Sequence, residues 1–460
     1  MSRPVSVCLI LTSTTTTTMS QPVLPAELCD EIISYLRNDS KSLKACSLAN
    51  KVMTVPCQKR LFHRIALQQH YIRHKSDSDR QSAKFFQLLT GSPHISGYVR
   101  SLFIYDRLTF IHDGPLDSES GDPLDAPMVA YTEPENYLRE HWLPQDKYLP
   151  HFAPLLCNLR ALTISYNGKW RHLSFRVFSS LVHIMQLPSL LYLRLECSTP
   201  DCIFDLAMGE NVKHLSMDYG YDEPFPVHQL SHLPSGPLGP VYIESLSTSS
   251  SQVLNFLRRS TRIRTHCLRK VVLSTKEPIT QAFLESCDAL EDLKVITNHD
   301  CTLDPKGCSL LTYLIIPVPA PSIDFGKLTT MARFTASLGF AREFLDGTLK
   351  TNMPWLCQVL QSGSTLANQA LREITIGVSC YYGKDYYSIW EWEEIFDILD
   401  RYSNLAVLNI TITTQNACGG HAGEILFDLL DDCDGVRRLR TEKDVDVRGE
   451  HDLWRICLCK

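Results

Sequence analysis

The chain has 460 residues, of which 44% are hydrophobic and 21% are charged, so its composition is that of a globular protein and not of a disordered one. This length exceeds a typical single core and predicts two domains, or one small module on a long scaffold. The formal net charge of −6 argues against a nucleic-acid partner, because phosphate binding requires a concentrated basic surface.

The 17 cysteines are spread thinly, form no Cys-x-x-Cys pair and are odd in number. Because the chain is far longer than a disulfide scaffold, we expect reduced thiols and a cytoplasmic or nuclear protein. No apolar run approaches the roughly 18 residues that a membrane span requires, so we expect no membrane partner.

Residues 1–20 are predicted to be a disordered leader. The apolar run from Val5 to Leu11 follows Arg3 and is short for a signal peptide, and a polar low-complexity run from Thr14 to Thr18 comes next. A targeting segment is the alternative interpretation. Met19 directly precedes the first patterned stretch and is a candidate start of translation.

Residues 21–67 contain the sharpest pattern in the chain. A proline in the first turn opens a predicted helix, the run Asn38-Asp39-Ser40 offers a cap for a second helix, and Thr54-Val55-Pro56 predicts the start of a third. The apolar positions of the three helices are Leu28, Ile32, Ile33 and Leu36, then Leu43, Cys46 and Leu48, then Leu61, Phe62 and Ile65. Three such helices are too short to bury a good core alone.

This stretch resembles the F-box. The resemblance is carried by the Leu-Pro-x-Glu-Leu opening, by the apolar run that follows it, by a Leu-x-x-Cys-Ser-Leu run and by a closing Leu-Phe: Leu24, Pro25, Glu27, Leu28, Ile32, Ile33, Leu36, Leu43, Cys46, Ser47, Leu48, Leu61 and Phe62. Where the family often has Val-Cys-Arg-x-Trp, this chain has Ala49 to Met53. An unrelated helical hairpin that begins Leu-Pro is the alternative.

The resemblance implies docking onto the Skp-type adaptor of a cullin–RING ubiquitin ligase. The adaptor-binding residues that it implies are Leu24, Pro25, Leu28, Ile32, Leu36, Leu43 and Leu48.

Residues 68–93 are predicted to form a helical connector. His70 and His74 would share one face of a helix, but no third ligand stands at a recognisable spacing, so a solvated helix is favoured over a metal site. Phe85 and Leu89 belong to a short buried face.

From residue 94 to residue 460 one pattern recurs: an apolar residue, two variable residues, an apolar residue, one variable residue and a third apolar residue. It occurs as Val99-Leu102-Ile104, Leu159-Leu162-Ile164, Leu190-Leu193-Leu195, Val212-Leu215-Met217, Leu238-Val241-Ile243, Leu268-Val271-Leu273, Leu290-Leu293-Val295, Leu311-Leu314-Ile316, Leu371-Ile374-Ile376 and Leu405-Leu408-Ile410, with a weaker Val436-Leu439. The last two positions of each unit share one face of a strand. Helices are predicted between them, at residues 175–185, 253–258, 279–286 and 390–402.

This part resembles the irregular leucine-rich-repeat region that follows the F-box in many eukaryotic, notably fungal, proteins. A unit of this kind cannot bury its apolar face alone, so units must stack. The predicted fold class is therefore α/β, with a small three-helix F-box followed by an irregular leucine-rich-repeat-like solenoid. A compact α/β domain is the alternative.

No enzyme motif is present in the sequence: it has neither a Gly-x-Ser-x-Gly elbow nor a phosphate-binding loop. Cys418 and His421 are close only in sequence, which says little about a nucleophile and its base. The acidic run that ends at Asp434 lacks the ligand alternation of a calcium loop and resembles a helix end before a turn at Gly435. We expect no catalytic residue, no metal and no cofactor.

Two aromatic segments are candidate interaction surfaces. Trp390 and Trp392 lie in one helical stretch, where core anchoring is favoured over an interface role. The run from Tyr381 to Tyr387 reads as an exposed loop, and tyrosine offers contact area with a polar group at low entropic cost. Tyr382, Tyr386 and Tyr387 are therefore predicted to bind the target.

The sequence thus favours a non-catalytic substrate-recognition subunit of an SCF-type ubiquitin ligase, whose partners are a Skp-type adaptor, a cullin scaffold and an unidentified target protein. The alternative is an interaction scaffold with a degenerate F-box. A hydrolase or transferase in the C-terminal part has no motif in its favour.

A chain that begins at Met19 should fold and bind its partners as well as the full chain, because no residue before Val23 belongs to a packing pattern. Equal melting temperatures and equal adaptor recovery for the two chains would support this expectation. A glycosylated or secreted product would contradict it.

Overall fold

A computed structural model describes residues 25–36, 39–49, 51–68, 81–106, 142–166, 170, 173–197, 208–219, 239–273, 279–296, 323–342, 349–351, 353–363, 370–380, 392–414 and 434–453. The chain divides into two compact units, Met1–His63 and Arg64–Lys460, which we call the helical unit and the sheet unit.

The helical unit contains α1 (Ala26–Tyr35), α2 (Ser40–Ala49) and α3 (Lys51–Leu61), and both α1 and α2 pack against α3. Buried Ile33, Leu43 and Cys57 form its core. Four half-buried side chains pack against this core: Leu36, Cys46, Met53 and Leu61. The three helices predicted for this stretch are present, and the core that they share is small.

The start of α2 is capped as the sequence predicts. Asp39 Oδ1 accepts hydrogen bonds from the backbone amides of Lys41 and Ser42, both at 3.0 Å, which satisfies amides that have no partner inside the helix. Hydrogen bonds from Ser42 are the main cause that lowers the pKa of the Asp39 carboxyl.

The predicted start of the third helix is wrong. The helix α3 begins at Lys51, and Pro56 lies inside it. A proline at this position lacks the amide that would donate to the preceding turn. Packing outweighs that loss: Cys57 is fully buried, and Thr54 Oγ1 donates to the carbonyl of Ser47 at 2.9 Å, which fixes α3 to the end of α2.

The sheet unit is a mixed α/β structure built on a large parallel sheet. Its strands are β1 (Arg64–Gln68), β2 (Ser101–Asp106), β3 (Ala161–Tyr166), β4 (Tyr192–Cys197), β5 (His214–Tyr219), β6 (Val241–Tyr242), β7 (Ser245–Thr248), β8 (Ile263–Arg264), β9 (Lys270–Leu273), β10 (Asp292–Ile296), β11 (Arg333–Arg342), β12 (Leu349–Thr351), β13 (Glu373–Cys380), β14 (Val407–Thr414) and β15 (Asp446–Leu453).

Helices lie between many of these strands. They are α4 (Gln81–Gly91), α5 (Leu149–Phe152), α6 (Phe175–Met185), α7 (Ser251–Arg259), α8 (Ile279–Leu284), α9 (Met353–Gly363), α10 (Trp392–Leu399) and α11 (Asp434–Glu442). The helices predicted at residues 175–185, 253–258, 279–286 and 390–402 are confirmed, with somewhat different bounds, as α6, α7, α8 and α10. Among the described helices, none is long and apolar enough to cross a lipid bilayer.

The strands of the large sheet follow one another in chain order. The order is β1-β2-β3-β4-β5-β7-β9-β10-β11-β13-β14-β15, and every neighbouring pair in it is parallel. The short strand β12 pairs antiparallel with β11, while β6 and β8 form a separate two-stranded sheet. An in-order parallel sheet is what stacked repeat units would form.

The register of the sheet aligns the apolar residues of successive strands. One aligned row is Ile65, Leu102, Leu162, Leu193, Leu215, Leu246, Val271, Leu293, Phe334, Ile374, Leu408 and Val447. A second row, two residues further on, runs from Leu67 through Ile104 and Ile164 to Ile376 and Ile410. Apart from half-buried Ile65 at the edge, these side chains are buried, so both rows belong to the core.

One hydrogen-bond arrangement recurs where the strands begin. The carbonyl of Arg100 accepts from the amides of Arg160 at 2.8 Å and Ala161 at 2.9 Å, and the equivalent carbonyl serves two successive amides at each large-sheet strand up to β14. From β3 to β14, each strand of the large sheet thus starts from the same point on its predecessor through backbone hydrogen bonds alone.

Eight of the predicted strands are confirmed, because the last two apolar residues of their units lie in β2, β3, β4, β5, β9, β10, β13 and β14. The unit at Leu238 is wrong: Val241 begins β6, which is outside the large sheet. The large-sheet strand there is β7, with Leu246 and buried Thr248 aligned to Leu215 and Met217. A threonine at the third position hid this unit.

A further strand was missed in the sequence. The unit predicted at Leu311, Leu314 and Ile316 lies outside the described residues. The strand that pairs with β10 is β11, where Met331, Phe334 and Ala336 follow the repeat spacing and are all buried. Alanine at the third position and methionine at the first made the pattern weak.

The weak final unit is also wrong, because Val436 and Leu439 lie in α11 and not in a strand. The turn predicted at Gly435 is likewise a part of this helix. An added Cβ at Gly435 would collide with the Cβ of Phe396, so the glycine permits close packing of α11 on α10. The last strand is β15, which contains Val447.

The boundary between the units falls between His63 and Arg64. The sequence assigned residues 64–67 to the helical module and Ile65 to its third helix, but these residues lie in β1, which pairs with β2 in the sheet. The helix α4, predicted as part of a connector, belongs to the sheet unit: Phe85 meets Phe152 edge-on at 5.1 Å, and Ser82 Oγ donates to buried Asp146 at 2.5 Å.

Replacing Gly363 with alanine should destabilise the sheet unit. The added Cβ would lie 2.6 Å from the Tyr402 hydroxyl oxygen and 2.7 Å from the Phe325 Cβ, and buried neighbours cannot move aside freely. Overpacking of this kind costs about 1–3 kcal/mol, which thermal unfolding would show as a lower Tm. The control is Gly91→Ala, where no atom lies within 4 Å; equal Tm values for both variants would contradict the packing described.

Candidate functional site

The helical unit exposes an unusual number of large apolar side chains. Of the ten large apolar residues that are exposed in the described part of the chain, six lie on its three helices: Leu28, Ile32, Tyr35, Leu48, Val52 and Val55. We call them the apolar helical surface. Leu48 is 89% exposed and Tyr35 is 81% exposed, so neither contributes to a core. Exposed apolar groups concentrated in this way mark interaction sites.

Helix geometry explains why these side chains remain outside. On α1, Cys29 and Ile33 are buried, while Leu28, Ile32 and Tyr35 follow one another at intervals of four and three residues on a neighbouring face. The helix is therefore apolar over a wider arc than the unit can cover. Val52 and Val55 repeat the three-residue spacing on α3.

The structure separates the predicted adaptor-binding residues into two groups. Pro25, Leu28, Ile32 and Leu48 are exposed, as a binding role requires. Leu36 is half-buried and packs against the core. Leu24 lies outside the described residues.

Leu43 differs from the rest of the predicted set. It is only 2% exposed and packs with Ile33 and Cys57, so it holds the helices together and offers no surface to a partner. Met53, at the position where the resembled family often has tryptophan, also packs against this core. Tyr35, Val52 and Val55 were missed, although the helical spacing of Tyr35 from Leu28 on α1 and of Val55 from Val52 on α3 is visible in the sequence.

The sheet unit offers a second surface, the face opposite its core rows, which we call the open sheet face. Its first aligned row is Arg64, Ser101, Ala161, Tyr192, His214, Ser245, Lys270, Asp292, Arg333, Glu373, Val407 and Asp446. Its second row includes Phe103, Arg194, Lys294, Thr335, Thr375, Asn409 and Arg448. Neighbours in these rows come from different strands, such as Arg333 and Glu373, so no local sequence pattern predicts them.

The end of this face that begins at β1 is aromatic. The Arg64 guanidinium lies 4.0 Å from the centre of the Phe103 ring, which is a cation–π contact. Further along, the rings of Tyr192 and His214 stack at 4.2 Å with an interplanar angle of 11°. Burial is the main cause that lowers the pKa of His214, while the Glu244 carboxylate opposes the shift.

The part of the face between β9 and β14 is charged and hydrogen-bonded. Asp292 Oδ2 lies 3.2 Å from Lys270 Nζ and 3.9 Å from Arg333 Nε. Asn409 Nδ2 donates to Glu373 Oε1 and to Thr375 Oγ1, both at 3.2 Å. An open depression of about 340 Å³ is lined by Lys270, Asp292, Arg333, Phe334, Thr335, Glu373 and Thr375.

Several candidates from the sequence fall elsewhere. Tyr382, Tyr386 and Tyr387 lie outside the described residues, as do His70, His74, Cys418 and His421. Trp392 is buried and stacks on Phe396 at 5.8 Å, which confirms its predicted role as a core anchor. Across the described ranges, no group of three or more His, Cys, Asp or Glu side chains is placed to hold a metal ion.

No protein-family model matches the chain, and no curated protein is significantly similar to it in sequence. A functional assignment therefore depends on the residues of the two surfaces.

Acidification should destabilise the protein partly through His214. Because its folded-state pKa is lowered, the unfolded chain accepts a proton near pH 6.5 that the folded protein resists. The stability that this group contributes is complete above about pH 6.5 and decreases as the pH falls toward the lowered folded value. The slope of Tm against pH between about 5 and 7 should therefore be smaller in His214→Gln than in wild type.

The matched control for this experiment is His183→Gln, which removes an exposed histidine on α6. It should keep the wild-type slope. Equal slopes for wild type and His214→Gln would show that the partial burial of His214 does not control its protonation.

Proposed function

We propose that the protein is a substrate-recognition subunit of an SCF-type cullin–RING ubiquitin ligase. In this proposal the helical unit is an F-box that binds a Skp-type adaptor, and the sheet unit is a leucine-rich-repeat-like solenoid that binds a target protein. The compartment would be the cytoplasm or the nucleus.

The observation that carries the proposal is the apolar helical surface. Leu28, Ile32 and Leu48 belong to this surface and, like Pro25, they are both motif positions and exposed side chains. While these side chains are exposed to water they contribute nothing to the stability of the isolated unit. Burying one apolar side chain would stabilise it by about 1.5–3 kcal/mol. A partner that covers them would supply that stabilisation.

The architecture of the sheet unit supports the second part of the proposal. The strands of its large sheet stand in chain order, those from β3 to β14 are each aligned to the preceding strand by a shared carbonyl, and buried side chains occupy two equivalent positions. Such units contact mainly their neighbours and create a long exposed face, which repeat proteins use for binding.

The protein would act through proximity. A target held on the sheet unit and an adaptor held on the helical unit would bring a lysine of the target near a ubiquitin-charged enzyme, and this arrangement replaces a bimolecular encounter with an effectively intramolecular one. None of the surfaces described offers a paired nucleophile and base. The aromatic run with Tyr382, Tyr386 and Tyr387 stays a predicted part of the target site.

The second candidate function is a non-ligase interaction scaffold. It is favoured by the position of Met53, since the chain lacks the tryptophan that the resembled family often has there. In that case the apolar helical surface would bind a partner other than a Skp-type adaptor.

Replacing Leu28, Ile32 and Leu48 together with alanine should weaken adaptor binding at least tenfold. Each side chain is exposed, so truncation removes contact area without opening a core, and a loss of about 1.4 kcal/mol corresponds to a factor of ten. Affinity for a purified Skp-type adaptor and co-purification of the cullin would be measured.

The matched control replaces exposed Asp30 and Lys44 of the same helices with alanine and should bind normally. Leu43→Ala should instead lower the Tm, because buried leucine truncation costs about 2–5 kcal/mol. If wild-type protein recovers neither adaptor nor cullin, the ligase function fails and the scaffold function replaces it.

A further inference from the structure

The open sheet face carries a concentration of positive charge on three neighbouring strands. On β9, β10 and β11 the charged side chains of its two rows are Lys270, Lys294 and Arg333, with Asp292 as the single carboxylate. On these three strands the cations exceed the carboxylates by two, and by one when Glu373 beside Arg333 is counted, whereas the whole chain has a net charge of −6. This cluster, which we call the basic cluster, is therefore a local exception.

The cations surround the carboxylate. Lys270, Asp292 and Arg333 occupy one row on adjacent strands, so the two cations stand about 4.8 Å to either side of Asp292 at backbone level. Lys294 is two residues along the same strand and on the same face, about 7 Å away. Asp292 alone cannot neutralise the three cations, and with Glu373, which is aligned with Arg333 on the next strand, one positive charge remains in excess.

Exposure separates the charges by depth. The Asp292 side chain is 16% exposed, whereas those of Lys270 and Arg333 are 53% and 55% exposed. The carboxylate thus lies at the floor of the depression and orients the cations, which project from its rim. Among the described residues, Lys294 has no ion-pair partner and nothing accepts a hydrogen bond from the Arg333 guanidinium.

Hydroxyl groups complete the lining. Thr335 and Thr375 line the same depression. Since Thr375 Oγ1 already accepts a hydrogen bond from Asn409, its proton remains available for donation to an anionic oxygen. Glu373, which accepts a hydrogen bond from Asn409, places a negative charge on the next strand. The positively charged region therefore ends on that side.

We propose that the basic cluster binds an acidic segment of the target protein, with target carboxylates at Lys270, Lys294 and Arg333. This inference rests on the proposed function for the identity of the ligand as a target, while the site itself does not depend on it. Charge complementarity selects this occupant, and the acidic remainder of the chain would repel an acidic segment elsewhere and guide it to the cluster.

A peptide fits the cluster better than a nucleic acid does. A phosphate backbone presents closely and regularly spaced charges, and it would have to cross Asp292 and Glu373. Carboxylates spaced along a peptide can meet the cations and leave those two positions to neutral residues.

The test is fluorescence anisotropy of a labelled peptide of five Glu-Ser repeats titrated with the full chain, at about 0.05 M and about 0.5 M salt. Wild-type protein should bind it, should lose most of that binding at high salt, and should bind the corresponding Gln-Ser peptide weakly. The double variant Lys294→Gln, Arg333→Gln should bind the acidic peptide about tenfold more weakly, as expected for two partly screened ion pairs.

A control variant with the same loss of charge, and a second variant that should strengthen peptide binding, test whether the effect is specific to the basic cluster. Arg194→Gln with Arg448→Gln removes the same total charge from other strands of the open sheet face, where each arginine pairs with a carboxylate, and should bind like wild type. Asp292→Asn adds one unit of net positive charge to the cluster and should bind more tightly. A merely structural role for these side chains would give no such increase.

Three results would overturn the inference: equal affinity of wild type and the Lys294→Gln, Arg333→Gln variant, an equal loss in the control variant, or a single-stranded oligonucleotide that displaces the peptide and binds more tightly. Adaptor binding is measured on the same samples. Peptide binding without adaptor binding would reject the ligase function and keep the site, and adaptor binding without peptide binding would reject the site alone.

Discussion

The alignment of apolar side chains across successive parallel strands is the interaction on which the rest of the sheet unit depends. A single strand with two apolar residues on one face has nothing to bury them against, and each strand gains its core from the strands beside it and from helices that pack on the sheet, such as α7 on β7. The shared carbonyl at each strand start repeats the same offset from Arg100 to Arg372. A slip of one residue would turn every core side chain to the solvent, so register and core stabilise each other.

The same alignment creates the open sheet face as its consequence. Once Leu293 and Phe334 are fixed in the core row, Asp292 and Arg333 must stand side by side on the other face. Their ion pair is a result of the register and not its cause, since partly exposed pairs are worth little. The packing of the core therefore determines which charged residues become neighbours on the open sheet face. The net charge of those neighbours determines the charge of the partner that this face would attract.

The helical unit illustrates the opposite situation, in which apolar residues exceed what the fold can bury. Its core is made of Ile33, Leu43 and Cys57, supported by a few half-buried neighbours. A stretch of this length has too much surface for its volume, so Leu28 and Leu48 remain exposed. That surplus is the physical basis for a partner, whether it is the proposed adaptor or another protein.

The sequence by itself determined the three N-terminal helices, the Asp39 cap, the helices at α6, α7, α8 and α10, and eight strands, because helical and strand periodicity are local properties. It failed at β7 and β11, because Thr248 and Ala336 are not hydrophobic enough to be recognised as core residues in the sequence. They occupy core positions because the register aligns them with apolar residues of the neighbouring strands. It failed also at Leu43, since periodicity shows that a side chain is apolar but not whether another helix covers it. The basic cluster of Lys270, Lys294 and Arg333 joins residues from three separate strands. Only the tertiary structure decided that they meet, because strand pairing over long sequence distances brings them together.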